Sequence, residues 1–407
     1  MSAVAETPFD AASGDRLAKR NALVLATGQA LAGANNSVIF ATGGILGAMM
    51  APDKSLATMP LSLMVCGMAV GSLPVGALAR RYGRRITYQI GAVFGTIAGL
   101  IGYAAITHGS FWLYLVATFC GGLYAASHMS YRFAAADTAS PAFKPKAVAW
   151  VMAGGLFAAF IGPQLVIFTK DLLPPYLFAA SYLGQAAVAA IACVMLALVR
   201  VPKAAAHSHG GGRPLSEIAR QPRFIVAATC GTASYALMNL MMTSAPLAMV
   251  DCGLSVSDAT LGIQWHVLAM YAPSFFTGSL ILRFGITRIV ALGLALLALS
   301  AVVGFSGMTV WHFWGALVLL GVGWNFALVG ATTMVTETHR PEERNKVQAF
   351  NDFCIFGTMA VGSFVSGGML AHFGWFLVNV VMFPVVAVAA AMLAWLVLRQ
   401  ERVHARL

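Results

Sequence analysis

The sequence predicts an all-α membrane protein with twelve transmembrane helices arranged as two pseudo-symmetric six-helix bundles. Three observations predict it. Of 407 residues 59% are hydrophobic and only 10% are charged, with a mean hydropathy of +0.80, a composition that excludes an ordinary soluble globule. Apolar runs long enough to span a bilayer recur twelve times. A short loop pattern after the second run returns after the eighth: Gly76, Arg81 and Gly83 are matched by Gly278, Arg283 and Gly285, each 202 residues later.

The runs lie near 21–48, 57–79, 87–107, 110–134, 146–168, 175–199, 222–250, 257–283, 287–306, 311–335, 345–371 and 374–398. Several exceed ~20 residues, so tilted or curved helices are expected. Residues 1–20 read as a soluble tail, because no small-residue cleavage site follows a short apolar core. Residues 21–199 form the N-terminal six-helix bundle, 222–398 the C-terminal one, and 399–407 a second tail. Between the bundles, 200–221 is polar, basic and rich in Gly, Ala and Pro, which marks a cytoplasmic linker. His207 and His209 fall in it; a short His tract can bind metal, but two histidines in a flexible loop serve equally as solvated side chains.

A net charge of +11 would suggest nucleic acid for a soluble chain. Here placement decides otherwise. All 25 Lys and Arg except Lys54 and Lys170 fall in the tails and in loops on one side. That is the positive-inside pattern, and it places both termini of a multi-pass membrane protein in the cytoplasm. The six cysteines are scattered without a C-x-x-C, so no disulfide framework is expected.

The loop after the second run reads Gly76-Ala-Leu-Ala-Arg80-Arg81-Tyr-Gly83-Arg84-Arg85. It resembles the signature of the major facilitator superfamily: a glycine, an acidic residue, then Arg-x-Gly-Arg-Arg/Lys. Twelve helices in two repeats is that family's plan. The resemblance implies a gating role for these residues and for Gly278, Arg283 and Gly285. One position departs: Arg80 stands where the family usually has the Asp that latches the outward-open state. The antiporter signature of the fifth helix is only partly met. Gly155 and Gly162-Pro163 are present, while Ala158 and Val166-Ile167 replace expected glycines.

Met238-x-x-x-Met242 lies on the seventh run and His266-x-x-x-Met270 on the eighth. Residues four apart share a helix face. Both pairs sit roughly 20 Å from the turn joining the two helices, at one depth inside the bilayer. A third pair, Met64 and Met68, is equivalent to His266 and Met270 at the same 202-residue offset, and is expected as an opposing gate. Chance alone supplies roughly one Met-x-x-x-Met pair among 20 Met, so position carries more weight than count. His266 reads as the histidine near the middle of a span, where a polar side chain marks a substrate pathway. The competing reading is a hydrogen bond from His266 to a neighbouring helix. No Asp or Glu is expected at mid-membrane depth, so the donors are neutral and soft, which favours Cu(I) over divalent ions. Met249 and Cys252, three apart, read either as an entry site or as ordinary interfacial residues.

These pairs resemble those of the CcoA-type copper importers of bacterial inner membranes. That likeness implies Met238, Met242, His266 and Met270 as copper ligands and an inward direction. It also implies a role in cbb3-type cytochrome oxidase assembly and a copper chaperone as a possible partner. Copper would be cargo, with no resident cofactor, in a chain expected to be a monomer. Two rivals stand beside it. One is a transporter of an organic substrate such as riboflavin or a drug, as in a sister branch associated with riboflavin import. The other is a non-transporting membrane copper sensor. An enzyme is not expected: the chain has no paired carboxylates, nucleophile–base constellation or phosphate loop.

Overall fold

The computed structural model describes residues 8–137, 139–140, 143–200, 212–340 and 343–404. The helices are α1 (Pro8–Met50), α2 (Met59–Tyr82), α3 (Arg84–Thr107), α4 (Phe111–His128), α5 (Tyr131–Asp137), α6 (Lys144–Thr169) and α7 (Ala179–Leu196). After the linker come α8 (Leu215–Ala219), α9 (Pro222–Asp251), α10 (Val256–Tyr271), α11 (Ser274–Phe284), α12 (Ile286–Phe305), α13 (Val310–Thr336), α14 (Arg344–Val380) and α15 (Met382–His404). Among the described residues, eight helical stretches are long and apolar enough to cross a membrane, and α10 with α11, bent by 43°, make a ninth. The first, fourth and eleventh places of the twelve-helix plan fall to α1, α4 and the part of α14 before Gly374. α1 and α4 are less apolar because they carry Gln29, Asn35 and Asn36, or His128, within their span. At Gly374 the backbone leaves the helix at φ 70°, which separates the eleventh span from the twelfth.

The described residues form two compact units, 1–39 with 66–207, and 40–65 with 208–407. In the first, glycines on one face of α3 let its neighbours approach. A Cβ on Gly95 would lie 2.3 Å from the Tyr124 ring of α4, and one on Gly102 would lie 2.2 Å from the Tyr182 ring of α7. Polar groups inside the unit pair across helices, as burial requires. Asn35 Nδ2 donates to the Gln185 carbonyl (3.0 Å) and Gln185 Nε2 donates to Asn35 Oδ1 (2.7 Å).

The two repeats share one loop geometry. Gly83 (φ 87°) caps the start of α3 and Gly285 (φ 86°) the start of α12. Both sit in the left-handed region that an L side chain rarely adopts. The guanidinium of Arg81 lies 5.2 Å from the Tyr82 ring centre, and that of Arg283 lies 5.2 Å from the Phe284 ring centre. Arg84 Nη1 donates to the Tyr88 hydroxyl at 3.2 Å. The side chain of Arg80 lies outside the described residues, as do His207 and His209.

Two spans expected to be continuous are broken. The fourth stops at His128 and resumes as α5. The eighth breaks at Ala272–Pro273, since proline has no N–H to continue the ladder. Asn325 of α13 staples that second break: its Nδ2 donates to the Met270 carbonyl and to Ser274 Oγ, both at 2.7 Å, and its Oδ1 lies 2.6 Å from Thr277 Oγ1. Asn325→Leu is expected to cost about 1–2 kcal/mol, because it strands a carbonyl in an apolar interior. A thermal-unfolding midpoint in detergent equal to wild type would remove the staple role.

The described end of the linker is clamped to the second unit. Buried Glu343 accepts from the Arg213 backbone N–H (2.7 Å), Arg213 Nε (3.1 Å), Arg213 Nη2 (2.9 Å) and the Arg340 backbone N–H (2.9 Å). The Arg213 guanidinium, with these backbone donors, holds the carboxyl well below the usual carboxylate range. A lowered folded pKa stabilises above the unfolded value and is lost as pH falls through the folded one. Glu343→Gln should therefore lower the unfolding midpoint at pH 7. The gap to wild type should narrow as pH drops below about 4.3. A gap that does not change with pH, measured by thermal unfolding across that range, would contradict the clamp.

Candidate functional site

α9 and α13 are the most enclosed spans: 67% and 61% of their membrane windows are buried, against 28–44% for the other spans that pass the length and apolarity test. A half-exposed side chain midway along such a helix faces an internal opening more readily than lipid. Tyr235 of α9 is such a residue. Its ring stands edge-on to buried Trp324 of α13 (centres 5.3 Å apart) and to half-buried Phe356 of α14 (5.8 Å). One turn along α9 from Tyr235 lies Asn239, on the same face.

Three buried polar atoms, one each on α9, α13 and α10, have no hydrogen-bond partner among the described residues: Asn239 Oδ1, Trp324 Nε1 and His266 Nε2. An unpaired buried polar group is costly and points to a ligand. His266 Nδ1 lies 2.8 Å from the Leu317 carbonyl. A carbonyl only accepts, so Nδ1 carries the proton and Nε2 is left as an acceptor. The chain approach is close there, since a Cβ on Gly321 of α13 would lie 2.6 Å from the His266 carbonyl. The site thus offers one indole donor, one amide acceptor, one imidazole acceptor and aromatic faces.

The residues expected as metal ligands fall as follows. Met238 and Met242 are buried on α9, His266 and Met270 are buried on α10, and these two helices pack together in the second unit. Met64 and Met68 are both buried on α2 but fall in different units. The competing reading of His266, a hydrogen bond to a neighbouring helix, is observed. Met249 is buried, whereas Cys252 is exposed with its Sγ 3.7 Å from Met308 Sδ. His266 is not alone, because His128 is also buried within a span. The attention to sulfur passed over Asn239, which sits between Met238 and Met242. The cost of a polar side chain in mid-membrane, which singled out His266, was the signal that would have found it.

The Major Facilitator Superfamily profile matches residues 25–273 and 228–407. The chain belongs to the Major Facilitator Superfamily. It is a multi-pass membrane protein of a transporter family. The chain is 49% identical over 373 residues to the riboflavin transporter RfnT of Brucella anthropi, covering 91% of this chain and 94% of that one. It is 28% identical over 386 residues to the uncharacterized MFS-type transporter YddS of Bacillus subtilis, covering 90% and 88%. Among solved structures it is similar in fold to the nucleoside transporter NupG, with a TM-score of 0.70 at 14% identity, covering 91% of this chain and 99% of that one. A bacterial homolog of the human lysosomal transporter Spinster, inward-facing and unoccupied, gives a TM-score of 0.69 at 14% identity, covering 93% and 96%.

The 49% identical relative overturns the expected copper import, with its metal-binding role, its part in cytochrome oxidase assembly, and Cu(I) and a copper chaperone as partners. The physical reason for the misreading is that thioethers at i and i+4 are also ordinary packing groups of a buried helix. Met238, Met242, Met64 and Met68 are all enclosed in that way.

Proposed function

We propose that this protein carries riboflavin into the cell across the bacterial inner membrane, with both termini in the cytoplasm. The observation that carries this reading is the 49% identity to a riboflavin transporter over nine-tenths of the chain. The site chemistry supports it. Riboflavin is neutral, with a planar tricyclic ring whose dione edge presents acceptor, donor and acceptor in turn. Trp324 Nε1–H suits a ring carbonyl, Asn239 Oδ1 suits the ring N–H between the carbonyls, and Tyr235 and Phe356 offer aromatic surface. His266 Nε2 suits a hydroxyl of the ribityl chain. Met238, Met242 and Met270 would serve as polarizable walls against the ring, since thioethers pack well on aromatics. The gating glycines and arginines of the two loops keep the role the family resemblance implies.

The test is radiolabelled riboflavin counterflow in proteoliposomes holding the purified protein. Riboflavin preloaded inside should drive transient uptake of label, and flavin mononucleotide outside should compete at least about 100-fold less well. Its phosphate would enter a site whose named side chains are all uncharged. No counterflow with correctly folded protein would end the riboflavin reading.

A further inference from the structure

We propose that His128 and Asn36 form a proton-binding site in the first unit that links transport to the transmembrane pH gradient. Neutral riboflavin brings no charge of its own, so concentrating it needs another ion. The inference adds an energy source to the proposed transport and does not depend on which solute is carried.

His128 ends α4 at the break in the fourth span, where its side chain is 3% exposed. Asn36 of α1 donates from Nδ2 to His128 Nε2 at 2.9 Å. The ring therefore holds its proton on Nδ1 and keeps a lone pair on Nε2. Two further atoms of the pair are buried without a partner: Asn36 Oδ1 and His128 Nδ1. The amide carries both a donor and an acceptor on one rotatable group. A half-turn about its last torsion exchanges Nδ2 for Oδ1 opposite the ring. When a proton adds to the Nε2 lone pair, Nε2–H then donates to Oδ1, and no other side chain need move. The same contact thus serves the neutral and the protonated ring.

The surroundings of His128 fit a group that loads and unloads. On its own helix Tyr124 lies one turn away, with ring centres 6.4 Å apart; on α5 the Tyr131 ring lies at 6.2 Å. Both rings stand steeply to the imidazole, with interplanar angles of 78° and 67°. Tyr88 of α3 lies tilted behind Tyr131, with ring centres 4.5 Å apart. Arg132 of α5, four residues beyond His128, carries a fixed positive charge. From α7, Cys193 packs against the buried cluster that holds Tyr88, Tyr124 and Tyr131, and its thiol donates to the Gln89 carbonyl at 3.7 Å. Among these described neighbours the imidazole is the group whose ordinary range lies nearest neutral pH. The proton enters from the outer water, resides on Nε2 and leaves to the inner water, and the ring returns to its neutral form.

The experiment uses proteoliposomes of the whole protein with the membrane potential clamped. An outside pH one unit more acid should drive riboflavin accumulation of up to about tenfold for one proton per molecule. His128→Gln keeps a hydrogen-bonding amide but cannot hold the proton. It should equilibrate riboflavin to a ratio near one while retaining counterflow. Gradient-driven accumulation by His128→Gln equal to wild type, or a wild type that shows riboflavin counterflow yet is blind to the gradient, overturns the proposal. A second measurement needs no solute: nitrogen NMR of histidine-labelled protein through an acid titration. One buried ring should pass from the Nδ1–H tautomer to the doubly protonated form, and Asn36→Leu should displace that transition. That reading stands if His128→Gln does not fold. A ring that stays neutral throughout, or a transition indifferent to Asn36→Leu, overturns the proposal. Loss of riboflavin counterflow in the wild type with the ring titration intact sinks only the choice of solute.

Discussion

Trp324→Ala is expected to weaken riboflavin transport by about 2–4 kcal/mol, on the order of 100-fold in apparent affinity, with little change in protein abundance. The indole is buried against Tyr235, and its Nε1–H has no partner among the described residues. Removing it takes away aromatic surface together with the donor proposed for a ring carbonyl. Trp324→Phe separates the two contributions. It keeps a ring beside Tyr235 and loses only the N–H, so about 1–1.5 kcal/mol, roughly tenfold, should be lost. Asn239→Leu should match it, by removing the acceptor proposed for the ring N–H. Met238→Leu and Met242→Leu should stay within about threefold of wild type, because a volume-conserving apolar swap leaves a wall in place. Riboflavin KM in proteoliposomes reads all five. A near-normal KM for Trp324→Ala, or a large loss in the Met variants with none in Asn239→Leu, would move the site elsewhere.

Gly293→Val is expected to destabilise the second unit by about 2–4 kcal/mol and to reduce the folded protein recovered from membranes several-fold. α12 and α13 cross so closely that a Cβ on Gly293 would lie 2.4 Å from the Ala327 nitrogen and 2.8 Å from the Gly323 carbonyl. Both neighbours are backbone, so no rotamer change relieves the overlap and the helices must part. Parting them displaces Trp324 and Asn325, which lie on the same stretch of α13. Gly278→Ala is the control, since nothing stands within 4 Å of a Cβ there. It should change stability by no more than about 0.5 kcal/mol. Size-exclusion profiles and unfolding midpoints of the two variants decide. Equal behaviour would show that the α12–α13 crossing adjusts more freely than its geometry implies.

The sequence by itself determined the membrane class, the twelve-span plan and the repeat, because these rest on composition, run length and a fixed offset. It also determined the two loop glycines, Gly83 and Gly285, whose positive φ is a local backbone property. The substrate was misread for a physical reason. On an enclosed helix such as α9 every face is apolar or buried, so periodicity cannot tell a wall that meets a ligand from one that meets a neighbouring helix. Met238, Met242 and Asn239 are equally buried. What distinguishes Asn239 is a polar atom without a partner, and partners come from distant parts of the chain. His266 finds its partner 51 residues away at Leu317, and Asn36 finds His128 across 92 residues. The breaks in the fourth and eighth spans, which place His128 and the Asn325 staple, were likewise decided by packing. Hydropathy measures how apolar a run is; only the tertiary structure determines which polar atoms inside it are left for a ligand or a proton.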